Sequence, residues 1–292
     1  MNFSGLLKRF EPLALKVSGR LLLCPWRSVF YPLDPRTAGV HPPAMRIEVV
    51  AEDAAFKKLR FAGKHQAWFP VAARVNAELW SEYLSVFWAH PANAHHYLSH
   101  GTPISPGDVV IDGGCCEGFF VHQALEAGAA RVIGIEPNPG MVQCLEKTFA
   151  PEIAAGRVTI VSAALGAFRG RAAFSFDAEY PAFGQIGGGG TANGEGVTVE
   201  TLEGICERLE LAQVDFVKLD IEGAEIHAME GALPVLKKLH PKLALTTYHR
   251  EFDFACLKAV LVAAGYQFIR PVGCTQFGQS KRFRPAMVHA RP

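Results

Sequence analysis

The sequence lacks the cysteine patterns that stabilise small secreted folds or bind zinc. Its seven cysteines are scattered along 292 residues, and no two of them form a C-x-x-C pair. A disulfide framework needs an even set of cysteines, and a structural zinc site needs closely spaced thiols. This usage is typical of a protein in a reducing compartment, so we expect a cytoplasmic location.

Long apolar runs and a strong net charge are also absent. No apolar stretch approaches the ~20 residues that span a membrane, and Leu21-Leu22-Leu23-Cys24 is too short for the hydrophobic part of a signal peptide. A formal net charge of +1 gives no electrostatic reason to expect nucleic acid as a partner. The composition, 49% hydrophobic and 20% charged, predicts a globular chain with one large core and a smaller accessory region.

The first residues have a basic, weakly amphipathic pattern. Apolar side chains recur at helical spacing in residues 3–20, with lysines and arginines between them. Such a helix lies on a membrane surface, or it packs on its own domain or on the partner subunit of a homo-oligomer. Pro12 interrupts the repeat, which favours packing over peripheral membrane contact.

A hairpin over residues 47–69 and a helix over Ala73–Trp88 are predicted next. Three histidines follow within residues 95–100, but their spacing suits no regular metal-binding element, and we predict a solvated loop. Residues 1–100 are therefore predicted to form an N-terminal accessory region.

From residue 101 onward, short apolar strands alternate with amphipathic helices. This alternation predicts an α/β domain over residues 101–292 that is doubly wound around a mostly parallel sheet. Residues 266–269 and 286–290 are expected to end the sheet as an antiparallel pair. Glycine-rich residues 187–196 predict a loop, because they cannot pack as a regular element.

Residues 109–120 have the pattern of an adenosine-binding turn: a buried strand, glycines and the start of a helix. Glu136 ends the next strand, where a carboxylate accepts hydrogen bonds from ribose hydroxyls. The order of Asp112, Gly114 and Gly118 departs from the G-x-G-x-x-G of dinucleotide sites. An acid at this turn repels pyrophosphate but suits the cationic sulfonium of S-adenosylmethionine. We therefore predict a methyl-donor site, and the missing motif disfavours the alternative, an NAD-dependent oxidoreductase.

A second group of ionisable residues lies in residues 214–225. Lys218 and Asp220 share one face of a predicted strand. A lysine inside a sheet needs a carboxylate partner, and we expect Asp220 or Glu222 to provide it. Glu222 and Glu225 fall in the first turn of the next helix, where they contact substrate or only stabilise the helix dipole.

His249 ends the following strand, which we expect beside Asp220 in the sheet. A neutral imidazole there would take a proton from an attacking hydroxyl, although a solvent-facing loop histidine is the alternative. Asp220 and His249 would also suit a divalent ion such as Mg²⁺. Two ligands are too few to assign one, so no metal ligands are predicted.

These segments resemble the FkbM family of S-adenosylmethionine-dependent methyltransferases. The family's first motif, V-D-V-G-A-N-x-G-x-F, is matched in the segment that begins at Ile111, and its E-P-N-P motif is identical in residues 136–139. Its most distinctive motif, D-F-I-K-I-D-V-E-G-A-E with a later E-G, is matched by residues 215–225 and 230–231. The resemblance covers roughly residues 104–270.

The resemblance implies a class I, Rossmann-like sheet of seven strands and O-methylation of a hydroxyl on a sugar or natural-product small molecule. It implies that the donor is held by Asp112, Gly114, Cys116, Gly118, Glu136 and Pro137. It implies that the acceptor faces the catalytic candidates Lys218, Asp220 and His249 and the binding candidates Glu222, Glu225 and Tyr248. We expect His249 or Asp220 to be the base, with Lys218 orienting it.

Two positions depart from the family pattern. Cys116 replaces the usual Asn, and Glu117 stands where an apolar residue is common. These departures leave an alternative outside enzymology, in which the protein binds the donor as a scaffold without turnover.

Overall fold

The computed structural model describes residues 43–90, 93–181, 184–186, 196–273, 275 and 284–292. The helix predicted in residues 3–20 and nearly all of the glycine-rich loop (187–195) lie outside the described residues.

The described chain begins with an antiparallel sheet and a helix. Strands β1 (Ile47–Glu52), β2 (Phe56–Phe61) and β3 (His65–Pro70) pair in that order. Helix α1 (Ala77–Phe87) starts later than predicted because the side chain of Asn76 caps it, accepting a hydrogen bond from the backbone of Leu79. The predicted hairpin and helix are both confirmed.

The remaining elements alternate as the sequence predicts. The first group comprises β4 (Val109–Gly113), α2 (Phe119–Glu126), β5 (Arg131–Glu136), α3 (Pro139–Thr148), α4 (Ala150–Ala154) and β6 (Val158–Ser162). Short strands follow: β7 (Ala164–Leu165), β8 (Gly170–Ala172), β9 (Phe174–Ser175), β10 (Gln185–Ile186) and β11 (Val197–Glu200). The last group comprises α5 (Leu202–Arg208), β12 (Phe216–Leu219), α6 (Glu225–Leu239), β13 (Lys242–Thr246), α7 (Asp253–Ala263), β14 (Phe268–Val272) and β15 (Met287–Arg291).

A seven-stranded sheet, in the order β14-β15-β13-β12-β4-β5-β6, forms the centre of the described fold. The five strands from β13 to β6 are parallel, while β15 is antiparallel to both β13 and β14. This confirms the doubly wound, mostly parallel sheet and its antiparallel end. The winding reverses between β4 and β12, and ligands of such sheets bind beyond the carboxyl ends of the strands at this point.

Alternating side chains of the central strands point to opposite faces and build two cores. On β4, Val110 contributes to one core and Ile111 to the other. The core of Val110 also contains the ring of Phe61 from β2, whose centroid lies 4.9 Å from that of Phe119 in α2. The accessory elements thus share a hydrophobic core with the sheet, and a domain boundary at residue 100 stays a prediction.

Among the described helices, none combines the length and the apolar character that crossing a membrane requires.

The packing at Gly118 predicts a stability difference between two glycines. Both Gly118 (φ 78°) and Gly156 (φ 72°) have left-handed backbone. A Cβ at Gly118 would lie 2.5 Å from the ring of Phe149, whereas a Cβ at Gly156 would meet nothing within 4 Å. Gly156→Ala should cost ~1–2 kcal/mol for the backbone conformation alone. Gly118→Ala should cost a further ~1–3 kcal/mol of overpacking, measured as the free energy of unfolding in urea. Equal losses in the two variants would contradict this account.

Candidate active site

A buried ion pair holds the glycine turn that follows β4. Asp112 of β4 and Lys218 of β12 are register partners on neighbouring strands, and the Lys218 Nζ lies 2.9 Å from the Asp112 Oδ1. The same Nζ donates to the carbonyl oxygens of Gly113 (3.2 Å) and Gly114 (2.8 Å). Burial opposes the charge of Lys218, but the nearby carboxylates of Asp112 and Asp220 outweigh it and raise its pKa. Lys218 is therefore charged and fixes the turn.

The prediction that Asp220 or Glu222 pairs with Lys218 was wrong. Asp112, not Asp220 or Glu222, forms the ion pair, because residues at the same height on neighbouring parallel strands are closer than residues along one strand. Asp112 has no exposed surface. It lies behind the turn that Lys218 contacts, and the parts of the two residues in donor binding and in orienting the base stay predictions.

A cleft opens beyond the carboxyl ends of β4, β5 and β12. The predicted donor residues that line it are Gly114, Cys116, Glu136 and Pro137. Asp220 and Glu222 line the same cleft, and Ile135, Leu165 and Phe174 add apolar wall. The structure thus brings the candidate donor and acceptor residues together at the predicted edge of the sheet.

Gly114 and Gly118 serve different purposes. At Gly114 (φ 72°) a Cβ would collide with the backbone carbonyl of Asp220, so the turn and the end of β12 come this close only with glycine. Gly118 is not among the residues that line the cleft, and its packing on Phe149 accounts for the glycine there. Its contact with the donor stays a prediction.

The carboxylate of Glu136 is buried and held in place by backbone. Its Oε2 accepts from the N–H of Cys116 (3.1 Å), and its Oε1 accepts from the N–H of Asn138 (2.8 Å). Burial raises the pKa of Glu136 to about 7 despite these bonds. Each carboxylate oxygen has a second lone pair, which matches the two hydroxyls of a ribose.

Two non-glycine residues of the cleft have left-handed backbone, Cys116 (φ 33°) and Glu222 (φ 55°). Each such backbone conformation destabilises the folded state by about 1–3 kcal/mol. It persists where the surrounding structure enforces it, often at functional sites. The Asn that the family resemblance leads us to expect at Cys116 would tolerate this conformation better. At Glu222, the conformation places the carboxylate beside both the cleft and His249.

Three carboxylates surround His249. Its Nδ1 lies 3.0 Å from the Glu225 Oε1, and its Nε2 lies 3.4 Å from the Glu222 Oε1 and 3.7 Å from the Asp220 Oδ1. Burial lowers the pKa of His249, but the carboxylates outweigh this effect and raise it to about 11. The imidazole is therefore protonated on both ring nitrogens and cationic at neutral pH. The neutral base predicted at His249 does not fit this charge state.

Asp220 remains ionised at the mouth of the cleft. Burial raises the pKa of Asp220, but the charges of His249 and Lys218 outweigh it, and the pKa is lowered. Tyr97, which the sequence analysis did not assign to the site, donates its hydroxyl hydrogen to the Asp220 Oδ2 (2.9 Å).

The segment expected to be a solvated loop of histidines belongs to the site. His96 is buried, and the ring of His95 stacks on Tyr248 with centroids 5.1 Å apart. Glu225, predicted to bind substrate, has no exposed surface and accepts from the Thr246 hydroxyl (3.0 Å). The aromatic and histidine content of residues 95–97 was the available signal, but sequence periodicity does not place a loop in space.

A second cleft adjoins the first and shares Pro181 with it. Phe69, Glu82, Glu117 and Tyr180 are among its lining residues. It lies between the accessory elements and the sheet domain, so residues before position 100 shape the access to the site.

The buried ion pair predicts a strong coupling between Lys218 and Asp112. Lys218→Met should lower the free energy of unfolding by about 3–5 kcal/mol, because it leaves Asp112 charged and buried. The double variant Lys218→Met/Asp112→Asn should lose less than the sum of the single variants. As a control, Lys242→Met removes a partly exposed pair with Asp108 and should cost ~1 kcal/mol or less. Additive losses at 112 and 218 in denaturant titrations would contradict the coupling.

The solved structures that resemble this chain share little sequence with it. The methyltransferase FkbM from Methylobacillus flagellatus KT is 19% identical, with a TM-score of 0.47; the match covers 75% of this chain and 56% of that one. This chain thus spans a little over half of that protein's length. TYW2 of M. jannaschii, solved in complex with AdoMet, is 11% identical, with a TM-score of 0.42 and coverage of 84% and 89%. Trm5b from Pyrococcus abyssi is 11% identical, with a TM-score of 0.43 and coverage of 85% and 62%.

No curated protein matches the chain. The family model of the methyltransferase FkbM domain matches residues 101–268, which is more than half of the chain and nearly the range of the resemblance. The seven-stranded sheet is that of the class I methyltransferases. The chain belongs to the FkbM methyltransferase family.

Proposed function

We propose that the protein is an O-methyltransferase that transfers a methyl group from S-adenosylmethionine to a hydroxyl of a sugar or natural-product small molecule. One observation carries the proposal: a single cleft has the buried carboxylate of Glu136 in one wall and the carboxylates of Asp220 and Glu222 in another. The first suits a ribose, and the others suit a hydroxyl that must lose its proton.

The cleft fits the donor in shape and in charge. Gly114 brings the turn close to the end of β12, and Glu136, whose oxygens are fixed by backbone, lines the same cleft. Asp220 and Glu222 give the wall a negative potential that suits a cationic ligand. When bound, S-adenosylmethionine supplies a methyl group activated by the adjacent sulfonium charge.

The acceptor would enter through the second cleft, beside Glu82 and Glu117. Its hydroxyl would donate a hydrogen bond to Asp220 or Glu222, and one of these carboxylates would take the proton. The protonated His249 orients both carboxylates, while Lys218 holds the turn below them. Much of the rate gain in such a site comes from orientation of the reacting oxygen.

The carboxylates also support a small, uncharged or cationic acceptor over nucleic acid. Asp220 and Glu222 line the donor cleft, where negative charge would repel a phosphate backbone. A cytoplasmic location, a homo-oligomeric state and a methyltransferase domain that begins at residue 101 are further parts of this proposal.

Removal of the carboxylate of Glu136 should weaken donor binding. Glu136→Ala should weaken binding of S-adenosylhomocysteine at least tenfold, because two hydrogen bonds to a charged group are worth about 1.5–3 kcal/mol each. Calorimetric titration of both proteins measures this. Glu146→Ala, which removes an exposed glutamate of α3, is the matched control and should bind as the wild type does. Unchanged affinity in Glu136→Ala would refute the donor assignment.

Loss of the acceptor-side carboxylate should affect the rate and not donor binding. Asp220→Asn should bind S-adenosylhomocysteine within a few fold of wild type, yet transfer methyl groups about 10²-fold more slowly, as expected for a lost proton acceptor. The assay incubates the protein with hydroxylated sugars and metabolites and detects products that have gained one CH₂ unit by mass. Asp53→Asn, in the exposed β1–β2 turn, controls for the amide substitution. An Asp220→Asn enzyme as fast as wild type would exclude Asp220 from the chemistry.

A further inference from the structure

Two carboxylates and an imidazole converge beside the acceptor cleft. One oxygen of Asp220, one oxygen of Glu225 and one ring nitrogen of His249 lie within 4.8 Å of one another. They come from the end of β12, the first turn of α6 and the segment after β13. The sequence offered two of these groups as metal ligands, and the packing of α6 adds Glu225 as the third.

Two oxygens in this cluster are buried without a hydrogen-bond partner among the described residues, Asp220 Oδ1 and Glu225 Oε2. The other oxygen of each carboxylate is occupied: Tyr97 donates to Asp220 Oδ2, and the backbone of Ile221 and the hydroxyl of Thr246 donate to Glu225 Oε1. Glu225 has no exposed surface, so bulk water does not compensate it. A buried charged acceptor without a partner is costly, and a bound cation would satisfy both oxygens.

The charge balance points in the same direction. The three carboxylates of Asp220, Glu222 and Glu225 surround one imidazole. The nearby Lys218 also attracts Asp220, but its single positive charge is paired with the carboxylate of Asp112. Even with His249 charged, the cluster keeps an excess of negative charge in a buried place.

We propose that Asp220, Glu225 and His249 bind a divalent cation of the Mg²⁺ or Mn²⁺ class, which receives the acceptor hydroxyl. Carboxylate oxygens are the preferred ligands of both ions, and one imidazole among them favours Mn²⁺. Three protein ligands leave coordination positions open toward the cleft. This inference rests on the proposed function, since it assigns the cation a role in O-methylation.

A metal-bound imidazole is neutral, so the cation would displace the proton that His249 otherwise carries on its ligating nitrogen, and it would activate the hydroxyl in place of a general base. A metal-bound hydroxyl ionises at a lower pH than a free one. Its O–H bond would break with the proton passing to Glu222, whose Oε1 lies 3.4 Å from the His249 Nε2. The oxygen's electron pair would then form the new C–O bond as the C–S bond breaks, and the electron pair of that bond would stay on sulfur. No oxidation or reduction occurs.

Binding of Mn²⁺ alone tests the proposal. Titration of the full chain with MnCl₂, followed by electron paramagnetic resonance of free Mn²⁺ and by calorimetry, should show one saturable site per chain. Mg²⁺ should displace the Mn²⁺. Glu225→Gln and His249→Gln should each weaken Mn²⁺ binding at least tenfold, while Glu146→Gln, at an exposed glutamate of α3, should bind as the wild type does.

Stability measurements separate loss of the site from loss of the fold. Mn²⁺ should raise the Tm of the wild type and leave the Tm of His249→Gln unchanged. His249→Gln provides this comparison even if Glu225→Gln misfolds. Absence of saturable Mn²⁺ binding by the folded wild type, with and without S-adenosylhomocysteine, would overturn the cation site. If S-adenosylhomocysteine still bound in that case, the proposed methyltransferase function would stand without a metal.

Discussion

The ion pair between Lys218 and Asp112 is the constraint on which the rest of the site depends. Both groups are buried in the centre of a parallel sheet, where an unpaired charge would cost several kcal/mol. The lysine also binds two carbonyl groups of the glycine turn, so the charge inside the sheet and the shape of the turn cannot change independently. Because Gly114 touches the backbone of Asp220, the same contacts position the carboxylate at the end of β12.

From this fixed turn, the fold separates two kinds of acid. Glu136 has both oxygens bonded to backbone N–H groups, and it offers a rigid pair of acceptors on one side of the cleft. Asp220, Glu222 and Glu225 instead share one histidine on the other side and leave buried oxygens without hydrogen-bond partners in the described structure. The first arrangement suits recognition of a sugar, and the second suits a cation or a proton in transit.

The mistaken expectations have a common physical cause. Lys218 was matched to carboxylates near it in the chain, whereas its partner lies across the sheet at the same height. His249 was expected to be neutral because no motif shows that three carboxylates meet at its ring. Each error concerns a contact between segments that are distant in sequence.

The sequence by itself determined the doubly wound fold, the family and the positions of the candidate donor residues. Strand and helix periodicity and the glycine turn are local properties, and the acid at the end of β5 follows from a fixed spacing. Only the tertiary structure decided which charges pair, and it brought Tyr97 and His95 into the site and Glu225 against His249. Those contacts join a loop before the domain, a helix start and a strand end, and their distances depend on how the layers pack rather than on any spacing along the chain.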